Sequence, residues 1–184
     1  MPDQERQSSA SESYLALVAS RTGQLAERMR MGEPPDVAAL SGWEWRGANM
    51  PATSRLLGIR RFVKGFAEVE GRLEGYNVSV TGSDLLAPWT ERPQRDGRRE
   101  WARFGVTPVD PLATDNRHPR AVLLDYGVVA DPERGLARRL RDYLVRASPG
   151  SDDLLLGQAF LAVGSGRVPV GWFALERLRP IRTV

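Results

Sequence analysis

Apolar residues recur with the period of a helix near the start of this chain and with the period of strands over most of the rest. Tyr14, Val18, Leu25 and Met29 fall on one face of an expected helix over about residues 12–31, with Leu15 and Leu17 flanking it. Ser9 and Glu12 have capping-box spacing before it, Gly23 interrupts it, and Gly32 with Pro34 and Pro35 ends it. Beyond residue 41, short runs of alternating polarity are separated by Gly, Pro and Asp. Gly42 to Gly47, Arg60 to Val69, Gly71 to Gly82, Leu85 to Thr90, Trp101 to Thr107, Arg120 to Tyr126, Arg138 to Arg146, Leu154 to Val163 and Arg167 to Leu178 are read as strands. Gly164-Ser165-Gly166 is the turn of a last hairpin, and Pro51 to Leu57 is a short helical segment whose Leu56, Leu57 and Ile59 are expected to plug one barrel end. No helix–strand alternation of the doubly wound kind occurs. The pattern predicts a mainly β protein: an antiparallel up-and-down barrel of about eight or nine strands behind an N-terminal helix.

Leu154 to Val163 is apolar on both faces apart from Gln158. Such a strand needs cover outside the barrel as well as within, and the helix is the segment available to supply it. The same stripe can instead pack on a second subunit, which makes a homodimer the alternative. The expected organisation is one domain over residues 1–184, with 1–8 disordered, 9–32 helical and 41–178 forming the barrel.

Composition narrows the function classes. No apolar run is long enough for a spanning helix, the opening MPDQERQSSASE lacks a signal-peptide core, and no membrane partner is expected. Cysteine is absent, which removes disulfides, thiol nucleophiles and thiolate metal sites, and the expected location is cytoplasmic. With one histidine besides, no metal site and no cofactor are expected. The net charge is only +3, and all of the 26 basic residues except Lys64 are arginine. That is an arginine bias of composition rather than a phosphate-binding face, and no nucleic-acid partner is expected, although Pro93 to Arg103 interleaves arginines with Trp101.

Gly42-Trp43-Glu44-Trp45-Arg46-Gly47, followed by Leu57-Gly58-Ile59 and Lys64-Gly65-Phe66, resembles the opening of GXWXG-type domains and of lipocalin-like (calycin) barrels more broadly. The likeness covers about 25 residues, with a Gly-x-x-Trp-x-Gly spacing one residue longer than the family pattern. It implies a calycin-type barrel with a ligand cavity and no catalytic residue. In its order, a leading helix and then a barrel, the chain also looks like small cyclases of bacterial natural-product pathways.

Candidate chemistry follows from strand parity. Lys64 lies between Phe62 and Phe66 on one face, where ring desolvation would lower its pKa. Asp125-Tyr126 and Asp142-Tyr143 should each send one polar group inward, and Glu176 is a further acid on the last strand. His118, in a proline-flanked loop, reads as surface. Gly157, Ala159, Gly171 and Ala174 leave room for a cavity. The expected ligand-binding set is Phe66, Tyr76, Val78, Tyr126, Tyr143, Gln158 and Trp172, around a small hydrophobic molecule. Two readings follow: a binding barrel, or a cofactor-free cyclase or isomerase acting on a polyketide-like intermediate by positioning and desolvation.

Overall fold

The computed structural model describes residues 9–92, 97, 99–113, 116–129 and 135–181. Eight strands close into an antiparallel up-and-down barrel in chain order: β1 Trp43–Asn49, β2 Arg61–Val69, β3 Arg72–Ser79, β4 Glu100–Pro108, β5 Val122–Asp125, β6 Leu140–Ser148, β7 Ser151–Val163 and β8 Gly166–Pro180. β8 returns to pair with β1, so the sheet has no free edge. Leu85 to Thr90, expected as a strand, is a turn. Its chain meets the sheet through a single bridge, Val80 to Glu91, and it is pinned by Trp89, whose ring lies under the Arg61 guanidinium at 4.1 Å.

The expected helix is two helices, α1 (Glu12–Val18) and α2 (Thr22–Met31), broken at Ala19 to Arg21 rather than at Gly23. Ser11, not Ser9, caps α1 by accepting from the Tyr14 amide. The predicted stripe is nevertheless the one that is buried: Tyr14, Leu17, Val18, Leu25 and Met29 pack with Val145, Leu154, Leu156, Phe160 and Ala174 on the outer wall. α1 lies against β8 and α2 against β7, so the helices clad the wall rather than cover a mouth. The expected disorder at residues 1–8 lies outside the described residues.

The wall thus separates two apolar layers. The register pairs Trp45 with Lys64 and with Arg177, Phe66 with Gly75, and Leu155 with Leu175, which places these residues inside. Rings fill the space above inward glycines: a Cβ at Gly47, Gly75 or Gly157 would stand 2.1 Å from the ring of Phe62, Phe104 or Phe173, respectively. Gly157 therefore leaves no room of its own, and inward-facing Gly171, paired with Ala159, is occupied in the same way by Thr53. These glycines are required by close approach of their neighbours, and they line no void.

All odd-to-even connections of such a barrel emerge at one end, here called the upper mouth. They include α4 (Pro51–Leu57) between β1 and β2 and a 3-10 turn (Gly135–Arg139) before β6. α4 buries Thr53 and leaves Leu56 and Leu57 exposed, so these leucines do not plug the barrel. The lower end is closed instead by α3 (Val37–Leu40), whose Leu40 joins Trp45 and Phe66 in the inner layer.

Candidate functional site

Within the aromatic inner layer lies one compact polar group. Lys64 of β2 points inward with 3% of its side chain exposed. Its Nζ donates to Asn77 Oδ1 at 2.9 Å and to the Tyr126 hydroxyl, and stands 3.6 Å from Asp142 Oδ2. Tyr126 in turn donates to the same Asp142 oxygen at 3.0 Å. Strand parity explains the meeting: in Asp125-Tyr126 the tyrosine is inward, in Asp142-Tyr143 the aspartate is, and Leu124 pairs directly with Asp142 across β5 and β6. Rings of Phe104, Tyr126, Phe62 and Phe173 surround Nζ at 4.7, 5.1, 5.4 and 5.6 Å from their centroids. Such a cage favours a cation by its ring faces while it excludes water.

Asn77 is held by an irregularity in the sheet. Two residues of β4, Ala102 and Arg103, face one residue of β3 between the pairs Gly75–Phe104 and Asn77–Trp101. Ala102 takes φ of 45°, in the left-handed region that non-glycine residues avoid, and its carbonyl accepts from Asn77 Nδ2 at 2.9 Å. The bulge thus fixes the amide with its oxygen towards Lys64.

Burial drives both charged partners towards their neutral forms. It pulls the Lys64 amine down to about 8 against the opposing attraction of Asp142, and pushes the Asp142 carboxyl up against the attraction of Lys64. The Tyr126 phenol is raised by the same burial and then by Asp142. An amine with a pKa near 8 is neutral in about a tenth of molecules at neutral pH, roughly 300-fold more than an ordinary lysine. One atom of the cluster is left over: Asp142 Oδ1 is buried and has no hydrogen-bond partner among the described residues.

Above this group, a pocket of about 240 Å³ opens at the upper mouth, lined by Arg60, Arg61, Phe62, Ser79, Arg92 and Trp101 among others. Phe62 lines this pocket and also belongs to the Lys64 cage, so its ring stands between the mouth and the lysine.

No family model matches this chain, and no curated protein or solved structure matches it either. The fold is nevertheless a calycin-like one in outline, a closed eight-stranded antiparallel barrel with N-terminal helices.

The seven residues expected around a ligand are divided by the wall. Phe66 and Tyr126 face inward. Tyr76, Val78, Tyr143, Gln158 and Trp172 belong to the outer layer or its rim. Tyr76 covers outward Gly65 and donates to Glu44, a fully buried carboxylate that also receives Arg99 and Arg179. Glu91 completes that network and thereby fastens the β3–β4 connection to the wall. Gln158 meets His118 Nε2 at 2.7 Å, and the imidazole packs on Tyr143 and Phe160 beneath α2. His118 is thus half-buried rather than a bare loop residue, with its pKa lowered mainly by that burial. Glu176 pairs with Arg46 on the outer wall, not inside the barrel.

Arg99 and Arg103, from the expected arginine-rich loop, are both engaged by carboxylates. Pro93 to Asp96 and Arg98 lie outside the described residues. Among the described residues, no acid or histidine cluster could hold a metal ion, and no helix is long and apolar enough to cross a membrane.

Proposed function

We propose that the barrel binds a small, largely apolar molecule through the upper mouth, and that Lys64, Tyr126 and Asp142 meet its polar end. The observation carrying this reading is the unpartnered Asp142 Oδ1 beside a caged lysine in an otherwise aromatic interior. A buried ion pair generally stabilises a fold no better than apolar residues of similar volume, so its presence calls for a use. A ligand hydroxyl or amide would supply the missing donor to Oδ1, and a ligand carbonyl or carboxylate would accept from Nζ. Entry requires Phe62 to turn away, which replaces ring-on-ring packing by ring-on-ligand packing.

A second reading is favoured by the lowered Lys64 pKa: a cofactor-free isomerase or cyclase. The neutral amine takes a proton from carbon next to a carbonyl, and Tyr126 donates to the enolate oxygen. The resulting ammonium, steadied by Asp142, returns the proton at another carbon. Atoms balance without a co-reactant, and the product is an isomer.

1-Anilinonaphthalene-8-sulfonate, which joins an apolar ring system to an anion, is a direct probe. Fluorescence titration should show one site per chain. The Lys64→Met/Asp142→Leu double variant, which keeps volume while removing the charges, should weaken it by about tenfold or more, the value of one buried charged contact. Equal binding by the double variant, with its barrel intact by circular dichroism, would refute the polar-end assignment.

A further inference from the structure

The connections at the upper mouth gather most of the exposed large apolar side chains of the described surface. Leu56 and Leu57 of α4, Leu136 of the 3-10 turn, and Val163 and Val168 of the β7–β8 hairpin are 69, 43, 66, 51 and 51% exposed. Leu86 and Val128 belong to the same connections, so seven of the nine exposed large apolar residues are on them. Exposure of this extent in one region marks a contact surface rather than ordinary surface scatter.

The basic residues are interleaved with them. Arg55, Arg92, Arg138 and Arg139 are exposed on three of the four connections, and Arg167 is half-buried at the base of the fourth. The described acids there are fewer: Asp84 is exposed, while Glu91 is consumed by Arg99 and Arg179. Apolar tips within an arginine-rich ring present a chemistry that inserts side chains between acyl chains while guanidinium groups meet phosphates.

We propose that the upper mouth docks on an anionic membrane surface, with Leu56, Leu57, Leu136, Val163 and Val168 inserting at the headgroup boundary. The tips stand on separate connections around an opening, which suits a plane better than a groove for a partner helix. Charge complementarity selects the anionic plane, and the surplus of exposed arginine over exposed carboxylate among the described residues of these connections is the attraction. The contact is peripheral, so it needs no spanning segment. It also goes beyond the ligand reading and does not depend on it: docking stands or falls whether or not the interior takes a molecule.

Vesicle flotation with the full chain tests it. Wild type should float with vesicles containing phosphatidylglycerol, release at high salt, and bind phosphatidylcholine vesicles weakly. Leu56→Glu/Leu136→Glu/Val168→Glu, all at exposed positions and checked for folding by circular dichroism, should lose binding by about tenfold or more. Arg138→Glu/Arg139→Glu should lose it on anionic vesicles. Failure of wild type to float, equal flotation with neutral and anionic vesicles, or undiminished flotation of both variants would overturn the proposal. So would a wild-type dimer that the leucine variant converts to a monomer while neither binds vesicles, because a second copy would then cover this end.

Discussion

Removing either Lys64 or Asp142 alone is expected to destabilise the barrel by about 3–5 kcal/mol, and removing both together by much less. Each charge is nearly inaccessible to water, at 3 and 6% side-chain exposure, and each is the other's only counter-ion among the described residues. Lys64→Met leaves a carboxylate with one orphaned oxygen in the aromatic interior, and Asp142→Leu leaves an ammonium among four rings. Either must be neutralised or desolvated without compensation. The double variant leaves an apolar interior in which Asn77 keeps its bond to the Ala102 carbonyl and the neutral Tyr126 hydroxyl, without Lys64 and Asp142, has Asn77 as its neighbour. Since a whole domain is stable by roughly 5–15 kcal/mol, the single variants should lose much of their unfolding midpoint in urea. Additive losses in the double variant would show that the two groups do not act as a pair.

Deleting residues 1–31 should abolish folding. The helices bury Tyr14, Leu17, Val18, Leu25 and Met29 against an outer wall that is itself apolar at Val145, Leu154, Leu156 and Phe160. Burial of five such side chains contributes on the order of 7–15 kcal/mol before the entropy of ordering the helices is deducted. The sum matches the stability of an entire domain, and the exposed wall would aggregate besides. Leu25→Ala is the gentler test, with an expected loss of about 2–5 kcal/mol. A truncated chain that remains soluble, with an intact cooperative transition, would contradict the cladding role and return the helices to a lid or a partner.

The fold was largely legible because its signals are local. Alternation over Tyr76, Val78 and Val80, the glycine turn at 164–166 and the helical stripe from Tyr14 to Met29 each specify their element without distant partners. The spurious strand at Leu85 to Thr90 had apolar residues for another reason, since Trp89 docks on Arg61 from outside. The site was legible only in its parts. Parity assigned one inward polar group to each Asp-Tyr pair, but not which residue, because β5 is short and both faces of the wall are apolar. In a barrel clad on its outside, an inward Tyr126 and an outward Tyr143 carry the same local pattern. Asn77 gave no signal at all: its position depends on the bulge at Ala102. Lys64 did carry one, as the single lysine of an arginine-rich chain set between two inward phenylalanines. The apolar mouth escaped notice because its residues are scattered over more than a hundred positions and converge only through closure of the barrel.

That single lysine also permits the most direct test of the central claim, that the barrel encloses a desolvated amine which a bound molecule reaches. Labelling the chain with [13C]lysine gives one side-chain Cε resonance, and its shift can be followed against pH with and without 1-anilinonaphthalene-8-sulfonate. The account predicts a titration midpoint near 8 in the free protein, and a displaced resonance and midpoint once the probe is bound. A midpoint above 10, as in a solvated lysine, or a resonance that saturating probe leaves unmoved, would contradict it.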